Sequence, residues 1–160
     1  MTTVRDALAR LATEKRERSA VAADAAELVR DARGYRWVGL YDVTATEIVA
    51  LAWTGNEAPA FPRFSKTRGL SGSAVATGRP VISQDVASDP RYLEAFATTG
   101  SEAIFPILDS AGVVVGTLDV ESDRRDAFSS EDEDFLRECA RSLGQLREEG
   151  SGTPARHHGS

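Results

Sequence analysis

Residues 101–122, SEAIFPILDSAGVVVGTLDVES, decide the fold. Glu102 to Leu108 and Gly112 to Glu121 are two apolar, β-branched runs, and Asp109-Ser110-Ala111 before Gly112 supplies the turn residues and the positive φ that a tight hairpin needs. Alternation along the second run puts Val113, Val115, Thr117, Asp119 and Glu121 on one face, with Val114, Gly116, Leu118 and Val120 on the other. One face of this strand therefore turns acidic towards its end.

Working outward, residues 35–43, YRWVGLYDV, and Glu47 to Trp53 predict a second hairpin turned at Thr44-Ala45-Thr46. Tyr35, Trp37, Gly39 and Tyr41 alternate onto one face, and the missing side chain at Gly39 leaves room between large rings. Residues 2–33 are rich in helix formers and predict one long helix or two short ones. The charged run Glu14 to Arg18 interrupts the apolar stripe, and Arg30, Arg33 and Gly34 form the stop. Between the hairpins, Gly55, Pro59 and Pro62 mark a loop with room for an edge strand around Phe61 to Phe64. Leu70 to Thr77 reads as a short helix ended by Gly78 and Pro80, Val81-Ile82 as a strand fragment, and Asp85 to Gly100 as a loop with a helical turn. Ser129-Ser130-Glu131-Asp132-Glu133 opens a last helix through a capping box; Phe135, Cys139, Leu143 and Leu146 form its apolar stripe, and it ends near Glu149. The order predicts an α+β fold: an antiparallel sheet with terminal helices packed on one face and a loop-covered ligand pocket on the other.

The chain has 160 residues, 19 basic against 25 acidic, a net charge of -6 and 41% hydrophobic content. These values predict one soluble domain with a core that needs no disulfide or structural metal. No uninterrupted apolar run approaches membrane-spanning length, and the first thirty residues lack a signal-peptide core, so the expected location is cytoplasmic. An acidic balance without a basic stripe argues against nucleic acid or membrane as partner. The excess of Arg over Lys and the richness in Ala suit a GC-rich bacterial genome.

The run Gly69-Leu70-Ser71-Gly72-Ser73-Ala74-Val75-Ala76-Thr77-Gly78-Arg79-Pro80, with Pro106-Ile107 and Gly116-Thr117-Leu118-Asp119-Val120-Glu121-Ser122, resembles a GAF domain. The likeness spans roughly residues 18–147, and Phe128, Glu131-Asp132 and Phe135-Leu136 resemble that family's approach to its last helix. It implies residues 18–149 as the GAF domain with residues 1–17 as a helical extension, while residues 150–160, with no apolar anchor, are expected to be a disordered tail. Within the family, Trp37-Val38-Gly39-Leu40-Tyr41, Ser101-Glu102 and Leu118-Asp119-Val120-Glu121-Ser122 are most similar to the free methionine-(R)-sulfoxide reductases. The resemblance implies that Trp37, Tyr41, Glu102, Asp119 and Glu121 line a ligand pocket, with Glu121 where that group has Asp. The positions of its catalytic cysteines hold Phe61, Ser71 and Ala95.

The residues themselves leave two readings of the acidic face open. An aromatic wall opposite carboxylates suits an amine or guanidinium; alternatively, Asp119 and Glu121 sit at a strand end in water and the rings are ordinary core. Sulfoxide reduction needs an attacking thiolate and a resolving thiol, and the chain has one cysteine, Cys139, on an apolar helix stripe. Gly69 to Ser73 is not a nucleophile elbow. The two histidines, His157 and His158, lie in the tail, so neither a metal nor a haem is expected, and no cofactor is. Cyclic-nucleotide binding is disfavoured by an acidic pocket unless Arg63, Lys66, Arg68 and Arg79 converge. The expectation is a small-molecule-binding GAF sensor for a small amine or amino-acid-like metabolite, without catalysis. It is expected to dimerise through its terminal helices and to signal to a protein partner. The alternatives are a reductase-related enzyme, degenerate or divergent, and a dimeric scaffold with a vestigial pocket.

Overall fold

Both hairpins form, and their long strands join them into one sheet. The structure, a computed structural model, describes residues 3–94 and 96–151. Two helices, α1 (Val4–Leu11) and α2 (Arg18–Arg33), precede β1 (Trp37–Val43), β2 (Glu47–Thr54), β3 (Arg63–Ser65) and α3 (Gly69–Thr77). There follow β4 (Val81–Ser83), a 3-10 turn (Val86–Ser88), β5 (Ser101–Leu108), β6 (Val114–Ser122) and α4 (Ser130–Ser151). The strand order is β3-β2-β1-β6-β5-β4, and every neighbouring pair is antiparallel.

Local chemistry explains the boundaries. The charged run breaks the N-terminal segment into two helices, and Gly34 closes α2 at φ +69, its N–H donating to the Arg30 carbonyl. In the β5–β6 hairpin Asp109 Oδ1 accepts from the N–H groups of Ala111 and Val113, both at 2.9 Å, and Gly112 takes φ +82. The last helix is capped at Ser129: its Oγ accepts from the Asp132 N–H at 3.1 Å, while Asp132 Oδ2 accepts from the Ser129 N–H at 2.9 Å. This helix runs to Ser151, two residues past the expected end. The side chain of Leu146 and residues 152–160 of the expected tail lie outside the described residues.

The two sheet faces are buried differently. Val38, Leu40, Phe105, Leu118 and Val120 pack against Leu8, Ala25, Val29, Leu136, Cys139 and Leu143 from α1, α2 and α4. Each large apolar side chain buried there contributes about 1.5–3 kcal/mol. On the opposite face Trp37, Tyr41, Ile48 and Phe96 form one cluster and Leu70, Ala74, Val86 and Ile104 another, roofed by α3 and loops. Tyr35 departs from the face expected for it: it precedes β1, packs on Phe128 and Phe135 at the helix side, and its OH donates to Asp132 at 2.6 Å.

Gly144 lets α4 sit against β5, since a Cβ there would come 2.5 Å from the Leu108 carbonyl oxygen. Gly144→Val is therefore expected to cost about 1–3 kcal/mol, which for a domain of this size lowers the midpoint by roughly 2–12 °C. Thermal unfolding by circular dichroism checks this; an unchanged midpoint would mean that α4 can slide.

Candidate functional site

Strand register assembles the acidic cluster. Glu121 lies opposite both Trp37 of β1 and Glu102 of β5, while Asp119 lies opposite Gly39 and Ile104. Alternation then points Glu102, Asp119 and Glu121 to the loop-covered face, where one oxygen from each falls within 4.8 Å of the others. They are 6%, 4% and 0% exposed, so the strand end is not in water. Trp37 and Tyr41 are buried beside them, which brings all five expected pocket residues to the same face.

The aromatic wall differs in detail from expectation. The room above Gly39 is occupied, because the Trp37 indole folds across it; a Cβ at Gly39 would overlap the six-membered ring. Trp37 Nε1 donates to the Glu57 carbonyl at 2.9 Å, and its ring meets Phe96 edge-on at 5.2 Å. Tyr41 meets Phe64 in the same manner at 6.1 Å. Both rings are thus held by neighbours before any ligand arrives.

The electrostatics are unusual. Among the described residues no Lys or Arg forms an ion pair with these carboxylates. Glu121 Oε1 accepts from Thr99 Oγ1 at 2.7 Å, but Glu121 Oε2, Asp119 Oδ1 and the neighbouring Thr117 Oγ1 are buried without a partner. Burial, then the charges of Asp119 and Glu121, push Glu102 well above the usual carboxylate range. Burial lifts Asp119 to about 6, against hydrogen bonds with Glu102 and Glu121. Burial and the Asp119 charge lift Glu121 to about 8, opposed by Thr99, Glu102 and Arg36. Near neutral pH the cluster therefore retains protons and both donates and accepts hydrogen bonds. Three carboxylates within one ion's reach could also hold a hard cation through oxygen.

A small cleft of about 30 Å³, the share of one water in the liquid, touches Glu102 and Asp119. Its other lining is Phe61, Phe64, Gly69, Leu70, Ser71 and Leu93, so Phe61 and Ser71, two of the three positions at which the resemblance led one to look for catalytic cysteines, share this cleft with the carboxylates. The third, Ala95, lies outside the described residues. Helix α3 begins at this cleft with no side-chain cap. A wider cleft of about 530 Å³, lined by Arg33, Tyr35, Arg36, Asp123, Arg124 and Asp132 among others, opens elsewhere. Of its two acids, Asp132 is satisfied by Arg33, Tyr35 and Ser129 and, although burial opposes it, is held at about 2. The unsatisfied oxygens of Asp119 and Glu121, and not cavity size, single out the acidic cluster as the candidate site. Of the loop cations, Arg63 pairs with Glu47 at 3.5 Å on the sheet edge and does not join the carboxylates. Cys139 sits in the helix-side core, where burial pushes its thiol up to about 12.

Sequence reasoning passed over Arg36, Phe96 and Thr99, which brace the cluster from outside the strands. Phe96 and Thr99 belong to a polar loop with no periodicity, and Arg36 carries no motif.

Comparison with known proteins agrees with this architecture. A family model described as GAF domain matches residues 15–148. GAF domain-containing protein A of Dictyostelium discoideum is 29% identical over 134 residues, 83% of each chain. The free methionine-R-sulfoxide reductase of Neisseria meningitidis, solved in complex with its substrate, superposes with a TM-score of 0.81 at 29% identity, covering 91% of this chain and 87% of that one. The type II free methionine-R-sulfoxide reductase of Thermoplasma acidophilum gives 0.77 at 29% identity, with 89% and 96% covered.

Because Glu121 binds its proton more tightly folded than unfolded, it adds stability at acid pH that is lost as pH rises from about 4.5 through about 8. Glu121→Gln should remove that loss, making the variant about 1–3 kcal/mol more stable than the parent near pH 8, with the gain vanishing near pH 5. Urea titrations across this range measure it; a variant less stable at every pH would mean that the carboxylate is already compensated.

Proposed function

The chain belongs to the GAF domain family, and from that premise we propose that it is a small-molecule-binding regulatory domain whose ligand sits on Glu102, Asp119 and Glu121 beside Trp37 and Tyr41. The observation that carries this is the pair of carboxylate oxygens, on Asp119 and Glu121, buried without a partner. Buried polar oxygens left without a partner are costly, so a fold that retains them favours an occupant bearing donors. A small amine or amino-acid-like metabolite has them: an ammonium offers three N–H donors and the missing charge. On the other wall of the cleft, the uncapped start of α3 presents amides and the positive end of a helix dipole to a carboxylate. A cleft of about 30 Å³ cannot admit such a ligand as it stands, so entry displaces the side chains at its rim, Phe61 and Leu93.

In this reading the domain has no chemistry of its own. It works in the cytoplasm as a homodimer joined through α1 and α4, residues 1–17 extend the domain of residues 18–149, and its ligand state passes to a protein partner. Similarity to the two reductases favours a second reading, an enzyme related to them. Against it stands the thiol chemistry, because Cys139 is buried on the far side of the sheet from the carboxylates and a single thiol cannot both attack and resolve.

Thermal unfolding against methionine, its sulfoxides, other amino acids, polyamines and guanidino compounds tests the proposal. A ligand at 100 times its Kd adds about 2.7 kcal/mol, a midpoint shift of roughly 5–11 °C, and Asp119→Asn should abolish it. No shift with any compound would favour a scaffold with a vestigial pocket. A cationic ligand must displace the protons of the cluster, so its affinity should rise between about pH 6 and pH 8, read by calorimetry. Affinity falling over that range would indicate an acceptor group, such as a sulfoxide oxygen, bound to a protonated acid. Turnover of free methionine sulfoxide with a thiol reductant, lost in Cys139→Ser, would overturn the non-catalytic reading.

A further inference from the structure

Arg36, just ahead of β1, is half-buried and has no carboxylate within ion-pair distance among the described residues. Its two terminal nitrogens donate to Thr98 Oγ1 at 3.2 Å and Thr99 Oγ1 at 2.7 Å. Its guanidinium carbon lies 5.3 Å from the centre of the Phe96 ring, and Phe96 in turn packs edge-on against Trp37. The Thr99 hydroxyl, accepting from Arg36, donates its one proton to Glu121 Oε1. The far end of this segment is tied down as well: the Gly100 N–H donates to the Ser122 carbonyl at 2.8 Å, and a Cβ on Gly100 would strike the backbone of Asp123 to Arg125.

We propose that Arg36 is the positioning residue of the acidic site: it clamps Phe96–Gly100 onto the sheet and, through Thr99, directs Glu121 so that Oε1 is occupied and Oε2 is left for a ligand. The inference rests on reading Glu102, Asp119 and Glu121 as the ligand site. A planar fork is what the geometry requires, since one side chain must reach two hydroxyls and lie over an aromatic ring; a lysine could supply the charge but not the span. The groups facing Glu121 are Glu102 from β5, Asp119 on its own strand, Tyr41 from β1 and Arg36. Arg36 is the cation among them, and it favours the ionised form of Glu121. The clamp thereby bears on which ligand charge the site accepts.

Hydrogen exchange of peptides covering residues 96–100 and carboxyl NMR titration of Glu121 test this without any ligand. In Arg36→Gln, exchange in that segment should be about tenfold faster while β1 and β6 keep their protection, and Glu121 should titrate at higher pH. Arg36→Lys should restore the titration and leave the exchange fast, a split that a merely structural role would not produce. Thr99→Val should raise the Glu121 titration with Arg36 still on Phe96. A folded Arg36→Gln with parental exchange and parental titration would overturn the clamp; if that variant does not fold, parental behaviour in both Arg36→Lys and Thr99→Val would do so. Expected changes in these readouts with no ligand shift in the parent would keep the clamp and reject the ligand reading. Undiminished ligand affinity in Arg36→Gln with an unaltered pH profile would keep the ligand reading and reject the clamp.

Discussion

The antiparallel pairing of β1 with β6 is the contact on which the rest depends. It joins the two hairpins into one sheet, and its register sets Trp37 opposite Glu121 and Gly39 opposite Asp119. A slip of one residue would turn the carboxylates into the helix-side core and the apolar partners outward. What prevents the slip is the other face, where Val38, Leu40, Leu118 and Val120 are buried against α1, α2 and α4. Hydrophobic burial on one side of the sheet thereby fixes the positions of charges on the other.

Two groups of acids in the same chain receive opposite treatment. Asp132 caps α4 and accepts from Arg33, Tyr35 and Ser129, so its charge is compensated and supports the fold. Glu102, Asp119 and Glu121 are buried and crowd one another, and Asp119 and Glu121 each keep an oxygen without a partner. The first arrangement serves stability. The second works against it, and a site poised for a compensating ligand is where such strain is commonly retained.

The loops complete what the strands begin. Trp37 closes over Gly39 and Gly55, Phe96 seals its edge, and Thr99 brings a hydroxyl to Glu121. The result is a nearly filled centre whose opening runs past Phe61, Leu93 and the start of α3. Affinity in such a site depends as much on the cost of moving those side chains as on the charges at its base.

Much of the fold was legible in local pattern. The hairpins followed from alternation and the turn at Asp109 to Gly112, and the last helix from its Ser129 and Asp132 cap, while the charged run Glu14 to Arg18 left one long N-terminal helix and two short ones equally open. The acidic face was legible too, since Thr117, Asp119 and Glu121 fall two residues apart. Alternation by itself left open whether that face met water or a pocket, because burial is a property of neighbours. The placement of Trp37 across Gly39, the departure of Tyr35 to the helix side and the bracing by Arg36, Phe96 and Thr99 had no periodic signal. The sequence alone determined which elements form and which residues share a strand face, because those depend on contacts a few positions apart. Only the tertiary structure decided that three carboxylates converge beneath a loop, with one oxygen of Asp119 and one of Glu121 left unpartnered, because that depends on the register between distant strands and on loop side chains that no local rule places.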